Sequence, residues 1–487
     1  MERDPRCHKE LIRTLNRRGL ALLFLTGISL LTSDTQSVFS KSSTSRLPIS
    51  SEIIQSPDGV VITDGILSQE DLAKYSKRDV RQIYTYPLFG MAAYEVHGEG
   101  VKDLQDDPDI HHIFPSSMYP LDNSVENQEE KDTSKRDTFL GWKKLSNEIG
   151  INKLADLYHA DVSDKEICII DTAFDTSHPV LSNHIVHEAC YSSTVADIKS
   201  LCVNNKDFDD NQSAHPASDS NCDGQCTHGT MTASTAIMNS SVKVSLFKTA
   251  SAFGGDAPGL KDVDILAGFH GCLERKIAGY PVVAATLSAS HYSTFSKPCN
   301  KEYGVEPYER AFAEMTHHGI TVNLADGNFE EKSAVGSPAC VVLGSDTFAD
   351  GIISVASSTF FNPQLSSLFS LFQKSSLEIA QFSNRSENLT TIFAPGTDIP
   401  VATTGGYYGT ASGTSFSTPI TALSVAYLQS LGIDLTPPEI EVLIHEGGIF
   451  LKDGTEPFVL INLGNSAKKS KRGKIYERIL PSVGVGR

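Results

Sequence analysis

Gly413-Thr414-Ser415-Phe416-Ser417-Thr418-Pro419 runs straight into the apolar stretch Ile420 to Leu431, and the reading of this junction decides the fold. Residues 420–431 are apolar or small on nearly every face, which predicts a helix inside a core. Pro419 is expected in its first turn, where a missing N–H costs nothing. A serine just ahead of such a helix sits among free backbone N–H groups at the positive end of the helix dipole, where developing negative charge is stabilised. Gly413 lets backbone or substrate come close. On its own this is an ordinary loop-to-helix junction, so partners for Ser415 must come from elsewhere in the chain.

Working outward, Glu166 to Ile170, Val242 to Phe247, Pro281 to Leu287, Ile320 to Ala325 and Ile352 to Ala356 are apolar runs rich in β-branched residues. A parallel sheet covered on both faces needs such strands. Helical stretches are read at His228 to Asn239, Asp262 to Ile277, Tyr308 to His317, Pro419 to Leu431 and Pro437 to Glu446, the last capped by Thr436 with Glu439. The alternation predicts an α/β domain, a doubly wound, mostly parallel sheet with helices on both faces. Chemistry in such sheets gathers beyond the carboxyl ends of strands. Asp171 ends the first strand, His228 opens a helix, and Asn328 follows Ile320 to Ala325 in the turn Asp326-Gly327-Asn328. Taken singly, each has a bland structural explanation: a turn aspartate, a core histidine, a turn asparagine. Together with Ser415 they supply a nucleophile, a proton carrier, a carboxylate to fix its tautomer and an oxyanion donor, which is what acyl transfer needs.

The surrounding composition fits an exported, globular protein. The 487 residues are 40% hydrophobic and 21% charged, with a net charge of −18 that leaves no basic surface for nucleic acid. Basic residues Lys9, Arg13, Arg17 and Arg18 precede the apolar run Gly19 to Thr32, the pattern of a secretory signal over residues 1–40 with cleavage after Ser40; an uncleaved anchor is the alternative, and only then is a membrane a partner. Without Cys7, eight cysteines remain, suggesting disulfides whose pairing the sequence leaves open. Cys168, inside an apolar strand, is equally well a buried thiol. Cys222 and Cys226 lack a matching second pair, so no metal and no other cofactor is assigned.

Residues 41–51 are a Ser/Thr-rich linker. Residues 52–120 carry a β-α-β-β-α-β pattern, a small α+β unit with Ser68 and Asp71 capping its first helix. The charged stretch 121–137, containing Lys135-Arg136, is an exposed linker where peptidases cut. The α/β domain spans 138–466, and 467–487 is a basic tail.

The order Asp171, His228, Ser415 differs from the Ser…Asp…His and His…Asp…Ser plans of other serine hydrolases. With Asp171-Thr172-Ala173-Phe174-Asp175-Thr176-Ser177-His178-Pro179, His228-Gly229-Thr230, Gly327-Asn328, Gly413 to Pro419, Ala394-Pro395-Gly396 and Leu460-Ile461-Asn462, the chain resembles the subtilisin-like serine peptidases, the subtilases. That resemblance implies a polypeptide substrate and the catalytic set Asp171, His228, Ser415 and Asn328. Phe89 to Tyr94, Asp107 to Ile110 and Ile113 to Pro115 resemble the family's propeptide, implying that residues 52–120 act as an intramolecular inhibitor until cut between about residues 117 and 137. Thr286, Leu287 and Ser288 match the substrate-lining strand, with Gly254 and Gly255 across the groove, free to pair with an extended peptide. Ser288 and Ala289 stand where the family has glycines, which implies a narrower primary pocket. Ala173, Met231, Phe416 and Ser417 also depart from the family pattern, and Val180 replaces a common calcium-ligating aspartate. The expectation is an exported serine endopeptidase made as a zymogen. Alternatives are a catalytically silent binding module, or a peptide ligase or macrocyclase using the same acyl-enzyme.

Overall fold

The computed structural model describes residues 59–470 apart from 99, 121–132, 196–197, 212, 216–224, 254–255, 303, 345–348, 360–377, 433 and 454–455. The signal and linker assigned to 1–51, most of the charged linker, Cys222, Gly254, Gly255 and the tail beyond 470 therefore lie outside the described residues.

Strands β1 (Val60–Asp64), β2 (Val80–Tyr86), β3 (Met91–Val96) and β4 (His112–Pro115) form a sheet ordered β2-β3-β1-β4, with helices Gln69–Tyr75 and Gly100–Asp106 between them. Alternation along the strands sorts their side chains. Val61, Ala92 and Tyr94 pack with Tyr75 and Leu104 under this unit's own helices. Val60, Ile62, Tyr86 and Ala93 face the larger domain's Val263, Phe269, Tyr308 and Phe312. Ser68 accepts from Asp71 N at 3.1 Å and so caps the first helix.

After β5 (Met118–Pro120), the larger domain contains β6 (Glu166–Asp171), β7 (Ile185–Tyr191), β8 (Lys199–Ser200), β9 (Phe208–Asp209), β10 (Lys243–Lys248), β11 (Ala250–Phe253), β12 (Asp256–Lys261), β13 (Val282–Leu287), β14 (Thr294–Phe295), β15 (Thr321–Ala325), β16 (Val335–Gly336), β17 (Ile352–Ser358), β18 (Ile392–Pro395), β19 (Ile399–Thr403), β20 (Tyr407–Ala411), β21 (Ile449–Asp453) and β22 (Glu456–Leu460). Its main sheet is ordered β21-β22-β18-β17-β15-β13-β6-β10-β7-β9. The strands from β22 to β7 pair in parallel, and only the outermost, β21 and β9, are antiparallel. Within β6, Ile167 and Ile169 join the core under helices His228–Ile237 and Thr414–Gln429, whereas Cys168 and Ile170 join the core under Asp262–Ile277 and Glu306–His317. Helices thus cover both faces, as a doubly wound α/β sheet requires. No helix among the described residues is long and apolar enough to cross a membrane.

Three expectations change. The nucleophile helix begins at Thr414, so Ser415 lies in its first turn and Pro419 lies inside the helix. Proline there lacks the N–H that would bond the carbonyl of Ser415 four residues earlier. Ser288 Oγ donates to that carbonyl instead, at 2.9 Å. Cys168 is no free thiol: it is bonded to Cys272 across 104 residues, while Cys190 pairs with Cys202 and Cys299 with Cys340. The stretch read as an exposed linker to residue 137 already holds a helix from Lys135, capped by Ser134, because Trp142 and Leu145 are buried three residues apart on one of its faces. Lys135-Arg136 lies in that helix's first turn, away from the extended form a peptidase takes.

Candidate active site

The loop ends at the carboxyl edge of the sheet bring the candidate residues together. Asp171 ends β6, and His228 opens its helix one strand away. His228 Nδ1 donates to Asp171 Oδ1 at 2.6 Å, in a pair buried to 4% and 2% exposure. The carboxylate also accepts from Thr172 N at 2.7 Å and from Thr232 Oγ1 at 2.9 Å. All three contacts are donors to one acceptor group, which leaves the imidazole lone pair on Nε2. The ring of His228 lies 6.1 Å from that of Phe416, the residue next to Ser415. Gly229 lets the histidine helix approach β6, because a Cβ there would collide with the Ala173 carbonyl.

Ser415 is buried to 6% exposure, and its Oγ donates to the Ser288 carbonyl at 3.3 Å. With the return bond from Ser288 Oγ, two reciprocal contacts lock the end of β13 to the nucleophile turn. Ser417 Oγ donates to the carbonyls of Ala394 and Pro395 at 3.0 and 3.2 Å, and a Cβ on Gly396 would run into that hydroxyl. The motif Ala394-Pro395-Gly396 is therefore a seat for the nucleophile helix.

Asn328 sits half-buried beside this turn, its Oδ1 accepting from Thr414 N at 2.9 Å and Thr414 Oγ1 at 3.0 Å. Two residues that sequence reasoning missed hold its loop. Asn384 is fully buried; its Oδ1 accepts from Phe329 N at 2.8 Å and Glu331 N at 3.1 Å, its Nδ2 donates to the Asp326 carbonyl at 3.1 Å, and its N–H reaches the Gly327 carbonyl at 2.9 Å. It also heads the Asn-Xaa-Ser sequon Asn384-Arg385-Ser386. Asp326 is fully buried and takes hydroxyls of Ser354 and, at 2.6 Å, Thr390; burial pushes its carboxyl up to about 7.

Of the proposed substrate-lining residues, Thr286 and Leu287 are fully buried inside β13, and Ser288 is the first to reach Ser415. Val180 packs as an apolar core residue, and no group of three metal-ligating side chains occurs among the described residues.

A separate small four-stranded sheet is ordered β5-β12-β11-β8. Met118, Tyr119 and Pro120 pair antiparallel with Lys261, Leu260 and Gly259 of β12. Ser117 N donates to Asp262 Oδ2 at 2.6 Å, Tyr86 OH donates to the Val263 carbonyl at 2.8 Å, and Arg310 binds both oxygens of Asp64 at 2.7 Å.

A profile of the subtilase family matches residues 163–447. The chain is 24% identical over 375 residues to alkaline serine exoprotease A of Vibrio alginolyticus, covering 75% of this chain and 56% of that protein. Among solved structures it superimposes on the epidermin leader peptide processing serine protease of Staphylococcus aureus with a TM-score of 0.59 at 15% identity, over 85% of this chain and 99% of that one. Fervidolysin of Fervidobacterium pennivorans, a keratinolytic enzyme related to subtilisin, gives 0.58 at 17% identity over 85% of this chain and 61% of its own. With the matched profile spanning more than half of its length and subtilisin-like proteases sharing its fold, this chain belongs to the subtilase family.

Proposed function

We propose that this protein is an exported serine endopeptidase, made as a zymogen, that hydrolyses peptide bonds through Asp171, His228 and Ser415 with Asn328 as oxyanion donor. The observation that carries it is the buried 2.6 Å contact between His228 Nδ1 and Asp171, in the tautomer that leaves Nε2 as base, beside a serine in the first turn of a buried helix. Ser415 Oγ attacks the carbonyl carbon and passes its proton to His228; Asp171 stabilises the imidazolium, and the same proton goes to the leaving amine. Asn328 Nδ2 and the Ser415 backbone N–H take the oxyanion. Water, activated by His228, then cleaves the acyl-enzyme.

The zymogen reading is supported by residues 118–120, which lie on β12 as an added strand, the mode in which an extended peptide binds a sheet edge. Cleavage between residues 121 and 132 would release that strand from the large domain. The Cys168–Cys272, Cys190–Cys202 and Cys299–Cys340 bonds among the described residues and the sequence's secretory pattern support export.

The test is fluorophosphonate labelling of the purified chain and of its Ser415→Ala variant, read by intact mass before and after incubation. Adduct formation and loss of the N-terminal unit are expected in the wild type and neither in the variant; a folded, processed wild type that takes no probe overturns the reading.

A further inference from the structure

Within the peptidase reading just given, we infer that Ser290 occupies the pocket for the side chain on the acyl side of the scissile bond, so that the enzyme cuts after glycine, alanine or serine. The inference rests on where that side chain has to go. An acyl carbon within reach of Ser415 Oγ, its oxygen toward Asn328, is bounded by two segments. One is Ser288 to His291, whose Ser288 carbonyl is 3.3 Å from Ser415 Oγ. The other is Asp326 to Asn328, tied to Thr414. The acyl residue's side chain points into the slot between them.

Main-chain bonds close the far side of this slot. Gly336 N donates to the Asp326 carbonyl and His291 N to the Ser337 carbonyl, both at 2.8 Å, and β14 pairs with β16. Two glycines, Gly327 and Gly336, border it, and backbone without side chains leaves room for a ligand. Here that room is taken from within. A Cβ on Gly336 would collide with Ser290 Oγ; one on Gly327 would meet Asn384 Nδ2 at 2.7 Å and come within 3.0 Å of Ser290 Oγ. Ser290 Oγ thus lies against the face of Gly336 and, beside Asn384, close to that of Gly327. Directly after the two segments in sequence, the rings of Tyr292 and Phe329 meet at 4.9 Å. Ser290 itself is half-buried, as a residue lining an accessible slot would be.

Each added carbon forced into a filled pocket lowers kcat/KM by roughly 10- to 200-fold. The test uses the full-length chain after its own processing and a peptide series that differs only in the acyl-side residue: Gly, Ala, Ser, Val, Leu and Phe. Fluorophosphonate labelling of Ser415 runs in parallel as a measure of competence that needs no peptide. The wild type is expected to cut after Ala at least about tenfold faster than after Leu or Phe. Ser290→Gly is expected to raise the Leu-to-Ala and Phe-to-Ala ratios of kcat/KM by at least about tenfold. Ser290→Ala falls between the two, and it carries the test should the glycine variant fold poorly. A labelled wild type that cuts after Leu or Phe as fast as after Ala, or variants with an unchanged Phe-to-Ala ratio, overturns the pocket assignment alone. A folded chain that takes no label overturns the peptidase reading and this inference with it.

Discussion

Asn328 Oδ1 accepts twice from Thr414, from the backbone N–H at 2.9 Å and from the hydroxyl at 3.0 Å. A backbone N–H only donates, so the amide oxygen must face Thr414 and the NH2 group must face away. On the proposed mechanism, Thr414 therefore aims the amide that would donate to the oxyanion. Asn328→Ala is expected to lower kcat by roughly 10²- to 10³-fold with KM nearly unchanged, measured by steady-state kinetics.

Asn384 acts one step further out. It reaches residues 326, 327, 329 and 331 and so braces the loop on both sides of Asn328. Asn384→Ala should lower kcat by about tenfold in the wild-type background and add little in the Asn328→Ala background, since residues acting through one group are not additive. Equal losses in both backgrounds would reduce Asn384 to general stability. Peptide mapping after expression in a glycosylating host should find no glycan on Asn384, because every polar atom of its side chain is buried and bonded.

Asp326 gives the site a pH signature. Its folded-state pKa of about 7 lies above the ordinary value of 3.8, through desolvation opposed by hydroxyls of Ser354 and Thr390. A raised pKa means the folded state holds the proton more tightly; the stabilisation is complete below about pH 4 and is lost as pH rises toward 7. Asp326→Asn should flatten that part of the stability curve in urea titrations, by up to about 4 kcal/mol across the window.

His270 works in the opposite sense. Burial against Phe89 and Tyr86 lowers its pKa from 6.5 to about 4. The folded state resists protonation, so stability falls as pH drops from about 6.5 to 4. His270→Leu should remove about 1–3 kcal/mol of that acid loss, read as a shallower drop in Tm between pH 6.5 and 4. An unchanged acid limb would place the sensitivity elsewhere.

The Cys168–Cys272 bond ties β6, three residues before Asp171, to the helix that carries the N-terminal unit. A closed loop of this length restricts the unfolded chain by an amount worth about 4–5 kcal/mol. Replacing both cysteines by alanine should cost about 2–5 kcal/mol in denaturant unfolding, with kcat unaffected while the protein remains folded.

How far the residues announced this architecture depends on whether the cause was local. Runs such as Glu166 to Ile170 declare themselves, since a strand buried on two faces must be apolar throughout. Thr436 and Glu439 announce a helix start through a local capping box, and both its bonds form. Asp171, His228, Asn328 and Ser415 stand out as candidates through their places at strand ends and a helix start, their chain order and the motifs around them. The early start of the nucleophile helix does not: Gly413 to Thr418 are poor helix formers, and the turn is held by Ser288 and the seat at Ala394-Pro395-Gly396, far away in sequence. Ser290 is hidden for the same reason. Its meaning depends on Gly327 and Gly336 facing it, which only the folded backbone brings about.

The strand pairing of residues 118–120 with β12 has a kinetic consequence. Both edges of β12 are occupied, one by β11 and the other by a segment of the same chain. A tethered occupant acts at an effective concentration on the order of millimolar, so free peptides at micromolar levels lose the competition for that edge while the tether is whole. Severing it makes the occupant an ordinary solute, subject to dilution. The timing of activity would then be set by the volume into which the cut chain is released as much as by the cut itself.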